Sequence, residues 1–427
     1  MTSFGKIYRQ MEFRQTAIGK IPTEWEIARL NDLCEVVGGA TPSTSVKEYW
    51  NGEIPFVTPT DVTELEDRNL NFLSDTKGHI TKQGLKNSSA KLLPPGTVLV
   101  TSRATIGYVA INEVPVATNQ GFASLICNKQ VDNIWILYLM RFLRSKLESL
   151  GAGSTYKEVS RGTIKNLSIA LPTKAEQEKI GRVLSSVEEA IQKTNEIIAK
   201  TELLKKGLMQ QLLTKGIGHK EFKDTEIGRI PKEWNVVEIG DVARTTSGGT
   251  PSRTKKEYYG GDIPWVKSGE LKDNTIYNTE ETITDKGLRN SSAKLLRKGT
   301  LLVALYGATV GKTAILGIDA TTNQAICAIM PREGKFESEY LKYQIILRRN
   351  QLISASSGGA QPNISQGIIR AVRIPLPALN EQRRLTKMLS TVDTKLENER
   401  SEKTKLDTIK QGLMDLFLMG KIRIKVD

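Results

Sequence analysis

Three kinds of cluster in this sequence have residue types that could do chemistry. Gly307-Ala308-Thr309-Val310-Gly311-Lys312-Thr313 approaches a phosphate-binding loop, in which backbone amides cradle phosphates and a lysine neutralises them. The spacing fails: the glycines stand one residue too close, and Tyr306 holds the place required for the first. The related stretch Arg103 to Tyr108 has no lysine at the matching place. A strand–turn–strand with glycine turns is the better reading. Glu53-Ile54-Pro55-Phe56 and Asp262-Ile263-Pro264-Trp265 approach the acidic-Pro-Pro-aromatic tetrapeptide with which amino methyltransferases hold a target amine. Isoleucine replaces the first proline, and no glycine-rich cofactor loop stands upstream. Gly38-Gly39 and Gly248-Gly249 are too short for a dinucleotide fingerprint. Zinc-protease, paired-cysteine and nucleophile-elbow motifs are absent. The 3 cysteines (Cys34, Cys127, Cys327) and 2 histidines (His79, His219) exclude a disulfide scaffold and argue against structural zinc or a Cys/His nucleophile. No catalytic residue and no metal ligand is assigned. The chain reads as a binding protein, not an enzyme.

What it would bind follows from charge. The 427 residues include 61 Lys and Arg against 47 Asp and Glu, a formal net charge of +14. That excess favours a polyanion, nucleic acid ahead of a membrane surface. No apolar run approaches the roughly 18–20 residues that span a bilayer, and Met1 to Arg14 lacks the apolar region of a secretory signal. The odd cysteine count fits a reducing compartment, so a soluble cytoplasmic protein is expected.

Candidate nucleic-acid contacts fall in three loops. In Gly-x-Thr-Pro-Ser turns, Thr41, Ser43 and Lys47, and again Thr250, Ser252, Arg253 and Lys255, offer hydroxyls, amides and positive charge to phosphate oxygens. The alternative is that Gly and Pro only shape the turn. Tyr49 and Tyr258 are expected beneath it as core. A second loop holds Ser154, Tyr156, Lys157 and Arg161, against Gln361 and Asn363 in a related stretch. A third holds Ser102 and Arg103, against Tyr306; Lys267 and Lys312 complete the set. Arg103, Lys157 and Arg161 suit guanine or phosphate, whereas Gln361 and Asn363 suit adenine edges.

These related stretches exist because the chain is written twice. IGKIPTEW at 18–25 returns as IGRIPKEW at 227–234, an offset of 209. LKNSSAKLL at 85–93 returns as LRNSSAKLL at 288–296, and Thr118-Asn119-Gln120 as Thr322-Asn323-Gln324. Leu171-Pro172 with Glu176-Gln177 returns as Leu376-Pro377 with Glu381-Gln382, and Gly207-Leu208-Met209 as Gly412-Leu413-Met414. A period of about 205 residues is far too long for a solenoid. It is a domain with an appendage, duplicated in tandem.

Within each copy, residues 25–172 and 234–377 are rich in turn-forming and β-branched residues. Runs such as Gly96-Thr97-Val98-Leu99-Val100 read as buried strands, while 134–150 and 338–353 have helical spacing. The tails differ. Residues 174–213 contain no proline, and Ile180, Leu184, Val187, Ile191 and Ile198 mark a heptad seam completed by Thr194 and Thr201. The second tail repeats it at Leu385, Leu389, Val392 and Leu396, breaks at Glu399 and Lys403, and resumes at Leu406, Ile409, Leu413 and Phe417. Forty helical residues extend about 60 Å, too long to hide a stripe in a small domain. The economical partner is the other tail, packed antiparallel. Each helix lying on its own domain is the plainer alternative. Segment 174–213 has 7 basic and 6 acidic residues and segment 378–418 has 8 and 7, so the charge surplus lies outside the helices.

Taken in order, the doubled IGxIPxEW opening, the GGxTPS turns, the NSSAKLL segments, the TNQ strands, the LPxxxEQ helix starts and the GLMQQLLTKG and GLMDLFLMGK helix ends resemble the specificity (S) subunit of a type I restriction–modification system. The similarity spans almost the whole chain. It implies an α+β fold with a tandem pseudo-two-fold repeat. Residues 1–172 and 216–377 would be mixed α/β target recognition domains, and 173–215 and 378–427 long antiparallel coiled-coil helices acting as spacers. Each domain would read one half of a bipartite site in double-stranded DNA. Two methyltransferase (M) subunits would dock on the helices, and restriction (R) subunits would join the full complex. S-adenosylmethionine, ATP and Mg2+ would sit on those partners, with no cofactor on this chain and no membrane contact. The competing readings are a basic coiled-coil adaptor that binds DNA without sequence preference, and a self-contained restriction–methylation enzyme fragment.

Overall fold

A computed structural model describes residues 7–151, 157–332, 336–355 and 363–425. The chain forms two compact units, Met1–Ile198 with Glu399–Asp427, and Ala199–Asn398. Each takes in one globular region and the adjoining halves of two long helices.

In the first unit, a five-stranded sheet has the order Cys34–Gly38, Ala123–Cys127, Val98–Val100, Val109–Asn112, Phe72–Leu73. Val98, Leu99 and Val100 are fully buried, as a continuous apolar run with both faces covered should be. A three-stranded sheet, Ala117–Thr118, Trp50–Val57, His79–Ile80, stands beside it. The helix Asn133–Phe142 covers the larger sheet with Trp135, Ile136 and Tyr138. Asp132 caps it, its Oδ1 accepting from Trp135 N at 2.8 Å. The helix expected over 134–150 is two helices, the second being Arg144–Leu150.

The second unit repeats this order strand for strand: Ala243–Ser247, Ile326–Pro331, Leu301–Ala304, Thr313–Leu316, Asn274–Ile276, and beside it Glu281–Ile283, Tyr259–Val266, Thr321–Thr322. Its covering helix, Ser338–Ser354, is continuous. The phosphate-loop look-alike is the turn joining Leu301–Ala304 to Thr313–Leu316. Gly307 (φ 88°) and Gly311 (φ 73°) supply left-handed backbone there. Lys312 Nζ lies 3.2 Å from the Asp273 carboxylate.

The tails form two long helices, Lys174–Lys215 and Leu379–Leu418. Within each unit their halves run antiparallel. In the first, Lys179 Nζ donates to Lys425 O at 2.8 Å while Glu188 meets Lys410 at 2.5 Å. In the second, Lys205 meets Asp393 at 2.5 Å while Ile217 N, just past the first helix, donates to Glu381 Oε1 at 3.3 Å. The seam serves more than helix pairing. Ile180 and Leu184 share one core with Met414 and Phe417 and with Trp135 and Tyr138 of the globular region. Leu212, Leu213, Leu385 and Leu389 share another with Trp234, Tyr340 and Tyr343. Ile191 and Leu396 are also buried; Val187, Ile198, Val392, Leu406 and Leu413 are half-buried. Ile409, placed on the seam by spacing, is 49% exposed, and Met414 is buried instead. The face turns because the helix must cover a domain as well as a helix. At the polar break, Lys403 pairs with Asp407 on its own helix at 3.1 Å.

Where the seam expectation put Val187, the buried residue is its neighbour Glu188. Tyr138 OH donates to its Oε2 at 2.7 Å, and Arg141 and Lys410 reach its Oε1 at 3.1 and 2.5 Å. The second unit builds the same layer from Tyr343, Asp393 and Lys205. Each long helix therefore gives an acid to one unit and a lysine to the other. Burial pushes the Glu188 carboxyl up, but Arg141 and Lys410 outweigh it and hold it below its ordinary value of 4.5. Its contribution to stability is therefore complete above about pH 4.5 and is lost as pH falls through the lowered folded value. Glu188→Gln is expected to cost about 3–5 kcal/mol at pH 7, because in a buried site Lys410 loses its counter-charge and Arg141 is left with only Glu66, at 3.6 Å. Urea unfolding from pH 3 to 7 should also show a shallower acid limb for the variant; parallel curves would refute the assignment.

Candidate nucleic-acid interface

At the head of each unit the Gly-Gly turn closes onto the Thr-Asn-Gln segment, 79 residues away in the first copy. Ala40 N donates to Thr118 O at 3.0 Å and Gly249 N to Thr322 O at 2.8 Å. A Cβ on Gly39 would lie 2.0 Å from Asn119 O, and on Gly248 2.2 Å from Thr322 O, so neither place admits a side chain. The regular strands end at Thr118 and Thr322, which shortens the expected TNQ strands. Asn119 Oδ1 and Asn323 Oδ1 instead accept from the backbone two residues on, at 2.9 and 3.2 Å. Gln120 and Gln324 reach back: the hydroxyl of Thr41 donates to Gln120 Oε1 at 2.5 Å, and Thr250 makes the same bond to Gln324.

The turn hydroxyls are surface groups linked to one another, Ser43 with Ser45 at 2.8 Å and Ser252 with Thr254 at 2.9 Å. Lys47 is exposed and Tyr258 is buried, while Tyr49 is half-buried. Edge-on aromatic pairs support both turns: Trp50 with Phe56 at 5.3 Å and Tyr259 with Trp265 at 5.9 Å. Trp50 Nε1 donates to Ser43 O, and Tyr259 OH to Pro251 O.

Beside the first turn lies a groove of about 680 Å³, lined by Gly38, Gly39, Ser102, Gln120, Glu158, Ser160, Arg161 and Lys165. Three of the expected residues meet there or at its rim. Ser102 is buried, its carbonyl accepting from Val159 N at 2.8 Å. Arg103 bridges to Glu158, with an ion pair at 3.7 Å. Arg161 is exposed at the first turn of the helix Arg161–Lys165, which Ser160 caps through Thr163 N at 3.0 Å. Lys157 is exposed at the loop's end. In the second unit Tyr306 bridges to Asn363, the place of Arg103 with Glu158. Ser154, Tyr156 and Gln361 lie outside the described residues.

The candidates divide by partner. Arg253 pairs with Glu281 at 2.6 Å and lies over Tyr259 and Trp265 at 4.5 and 4.9 Å. Lys267 pairs with Glu280 and Glu281 at 2.7 and 3.1 Å, Lys312 with Asp273, and Lys255 donates to Tyr258 OH at 3.1 Å. Burial raises the Asp273 carboxyl, but Arg349 and hydrogen bonds from Thr313 hold it below its ordinary value. These cations brace their own unit. Lys47, Lys157, Arg161 and Lys165 have no carboxylate partner among the described residues. Sequence reasoning missed Gln120, Gln324 and Lys165; the repeated Thr-Asn-Gln already marked the first two. Among the described residues no cluster of three or more His, Cys, Asp or Glu could hold a metal ion, and no helix is long and apolar enough to cross a membrane.

Comparison with known proteins agrees with this two-copy geometry. The family model for the type I restriction modification DNA specificity domain matches twice, over residues 22–203 and 231–408. The chain belongs to that family. Among its relatives, the MjaIX specificity subunit of Methanocaldococcus jannaschii is 28% identical, over 97% of this chain and 98% of its own length. The EcoR124I/EcoR124II specificity subunit of Escherichia coli is 26% identical over 62% of this chain and 65% of its own. The crystal structure of the type I S subunit from M. genitalium shares the fold at TM-score 0.59, with 16% identity over 96% of this chain and 98% of that one. A chain from work on complex assembly of the type I R-M system does so at 0.58, with 21% identity over 94% and 99%.

In this specificity-family chain, cations already held by carboxylates should contribute least to DNA binding. Removing Lys47 or Lys165 singly should lower the slope of log K against log salt by about 0.9 each. Lys267→Ala and Lys312→Ala should lower it by less and should reduce thermal stability instead. Equal slopes for the two groups would contradict the division.

Proposed function

We infer that this chain is the DNA sequence-specificity subunit of a type I restriction–modification complex, each globular unit reading one half of a bipartite site. The carrying observation is the duplication. Two units share one strand order and one turn frame, yet their groove residues differ, as Arg103 with Glu158 and Tyr306 with Asn363 do. A frame kept constant with exchanged side chains suits two readers of different base sequences. A basic adaptor without sequence preference would need no such exchange.

The chemistry is proposed to lie on partners. M subunits would carry S-adenosylmethionine and dock on the long helices, setting adenine methylation at the two half-sites. R subunits would bring ATP, Mg2+ and cleavage. Leu203 and Leu204, 72% and 56% exposed on the first long helix, support a docking role for that helix. Leu203 lines a depression of about 800 Å³ together with Lys206, Met209 and Leu347. The helices are further proposed to set the spacer between the half-sites.

The purified chain alone should methylate nothing. With its M partner it should direct methylation to one bipartite motif, read by methylome sequencing. Replacing residues 25–172 by the corresponding region of a relative should change one half of the motif and leave the other. Change in both halves would sink the two-reader model.

A further inference from the structure

One position in the frame is exchanged together with its support. Arg161 and Gln366 occupy the same place, the first residue of a short helix, after the capping serines Ser160 and Ser365. Both caps hold: Ser160 Oγ accepts from Thr163 N at 3.0 Å and Ser365 Oγ from Ile368 N at 3.2 Å. Both side chains lie against the residue just before the glycine common to the two turns, Gly39 and Gly248. In the first unit that residue is Gly38, and a Cβ there would stand 2.8 Å from Arg161 Cδ and Nη1. In the second it is Ser247, whose hydroxyl takes a hydrogen bond from Gln366 Nε2. So a guanidinium lies close against bare backbone in one copy, and an amide is tethered by a hydroxyl in the other.

We propose that residues 38 and 161 form the specificity-determining pair of the first unit and residues 247 and 366 that of the second, Arg161 reading a guanine and Gln366 an adenine. This rests on the DNA-reading role proposed above. Three observations carry it. Arg161 is exposed at the groove that holds Ser102 and Gln120. Its guanidinium has no carboxylate among the described residues, unlike Arg253 or Arg103. Its fork matches the paired acceptors O6 and N7 of guanine, whereas a glutamine amide matches N6 and N7 of adenine. One amide proton of Gln366 is spent on Ser247, leaving its carbonyl and second proton for the base. Gly38 is the permissive half of its pair, because any larger residue there lifts the guanidinium away from the groove floor.

The test exchanges the pair. The chain carrying Gly38→Ser and Arg161→Gln, co-expressed with its M subunit, is scored by methylome sequencing, with Arg161→Gln alone as a second variant that leaves the glycine intact. Thermal melting of both variants shows that they remain folded. The expected result is loss of one guanine preference, by roughly 5- to 150-fold, in one half of the motif, with the other half unchanged. A motif identical to wild type would overturn the inference. So would weaker methylation spread evenly over an unchanged motif, which marks Arg161 as a phosphate contact. A wild-type chain that directs no bipartite motif would instead overturn the DNA-reading role itself.

Discussion

The architecture depends on a carboxylate at the start of each long helix, buried at Glu176 and half-buried at Glu381. Glu176 accepts from Trp25 Nε1 at 3.2 Å and is held by Arg423 at 2.5 and 2.8 Å. Glu381 accepts from Trp234 Nε1 at 2.9 Å and meets His219 at 2.8 Å. Each acid thus joins the opening hairpin of a globular region, the helix leaving it, and the chain just past the other helix's end; these are three separate segments in the first unit, while in the second His219 runs straight on into the hairpin. The adjacent glutamines complete the joint. Gln177 and Gln382 each donate to a proline carbonyl at 2.9 Å, and each accepts from the first backbone amide before a covering helix, also at 2.9 Å. Buried polar groups this well satisfied fix geometry, since any other arrangement strands a charge or an amide.

The joint also explains the ends of the helices. Gly216 and Gly420 turn the chain with φ of 66° and 65°. A Cβ on Gly216 would lie 2.7 Å from Trp234, and on Gly420 2.4 Å from Pro22. The chain beyond Gly420 can then fold back, and Ile422–Ile424 pairs antiparallel with Ile7–Arg9. The first unit is closed by residues from both ends of the sequence.

Within this rigid frame, the variable groups sit at turn tips and at the first residue of short helices. They can change without disturbing the core because the turns are braced from below by aromatic pairs and from the side by Gln120 and Gln324. Arg253 shows the converse. This candidate phosphate contact is stacked on two aromatic rings and tied to Glu281.

Much of this was legible in sequence, because duplication is legible without geometry. The repeated motifs exposed two units and two helices, and the failed glycine spacing at 307–313 gave a turn. Heptad spacing found Ile180, Leu184, Leu385 and Leu389. It could not find Glu188 or expose Ile409, because a helix packed on both a domain and a second helix buries more than one stripe. Nor could it pair Trp25 with Glu176 or Thr41 with Gln120, contacts across 151 and 79 residues that exist only once the strands are ordered. Which cations are free and which are held was decided by the tertiary structure alone. A carboxylate's reach is a few ångströms in space, and sequence distance says nothing about that.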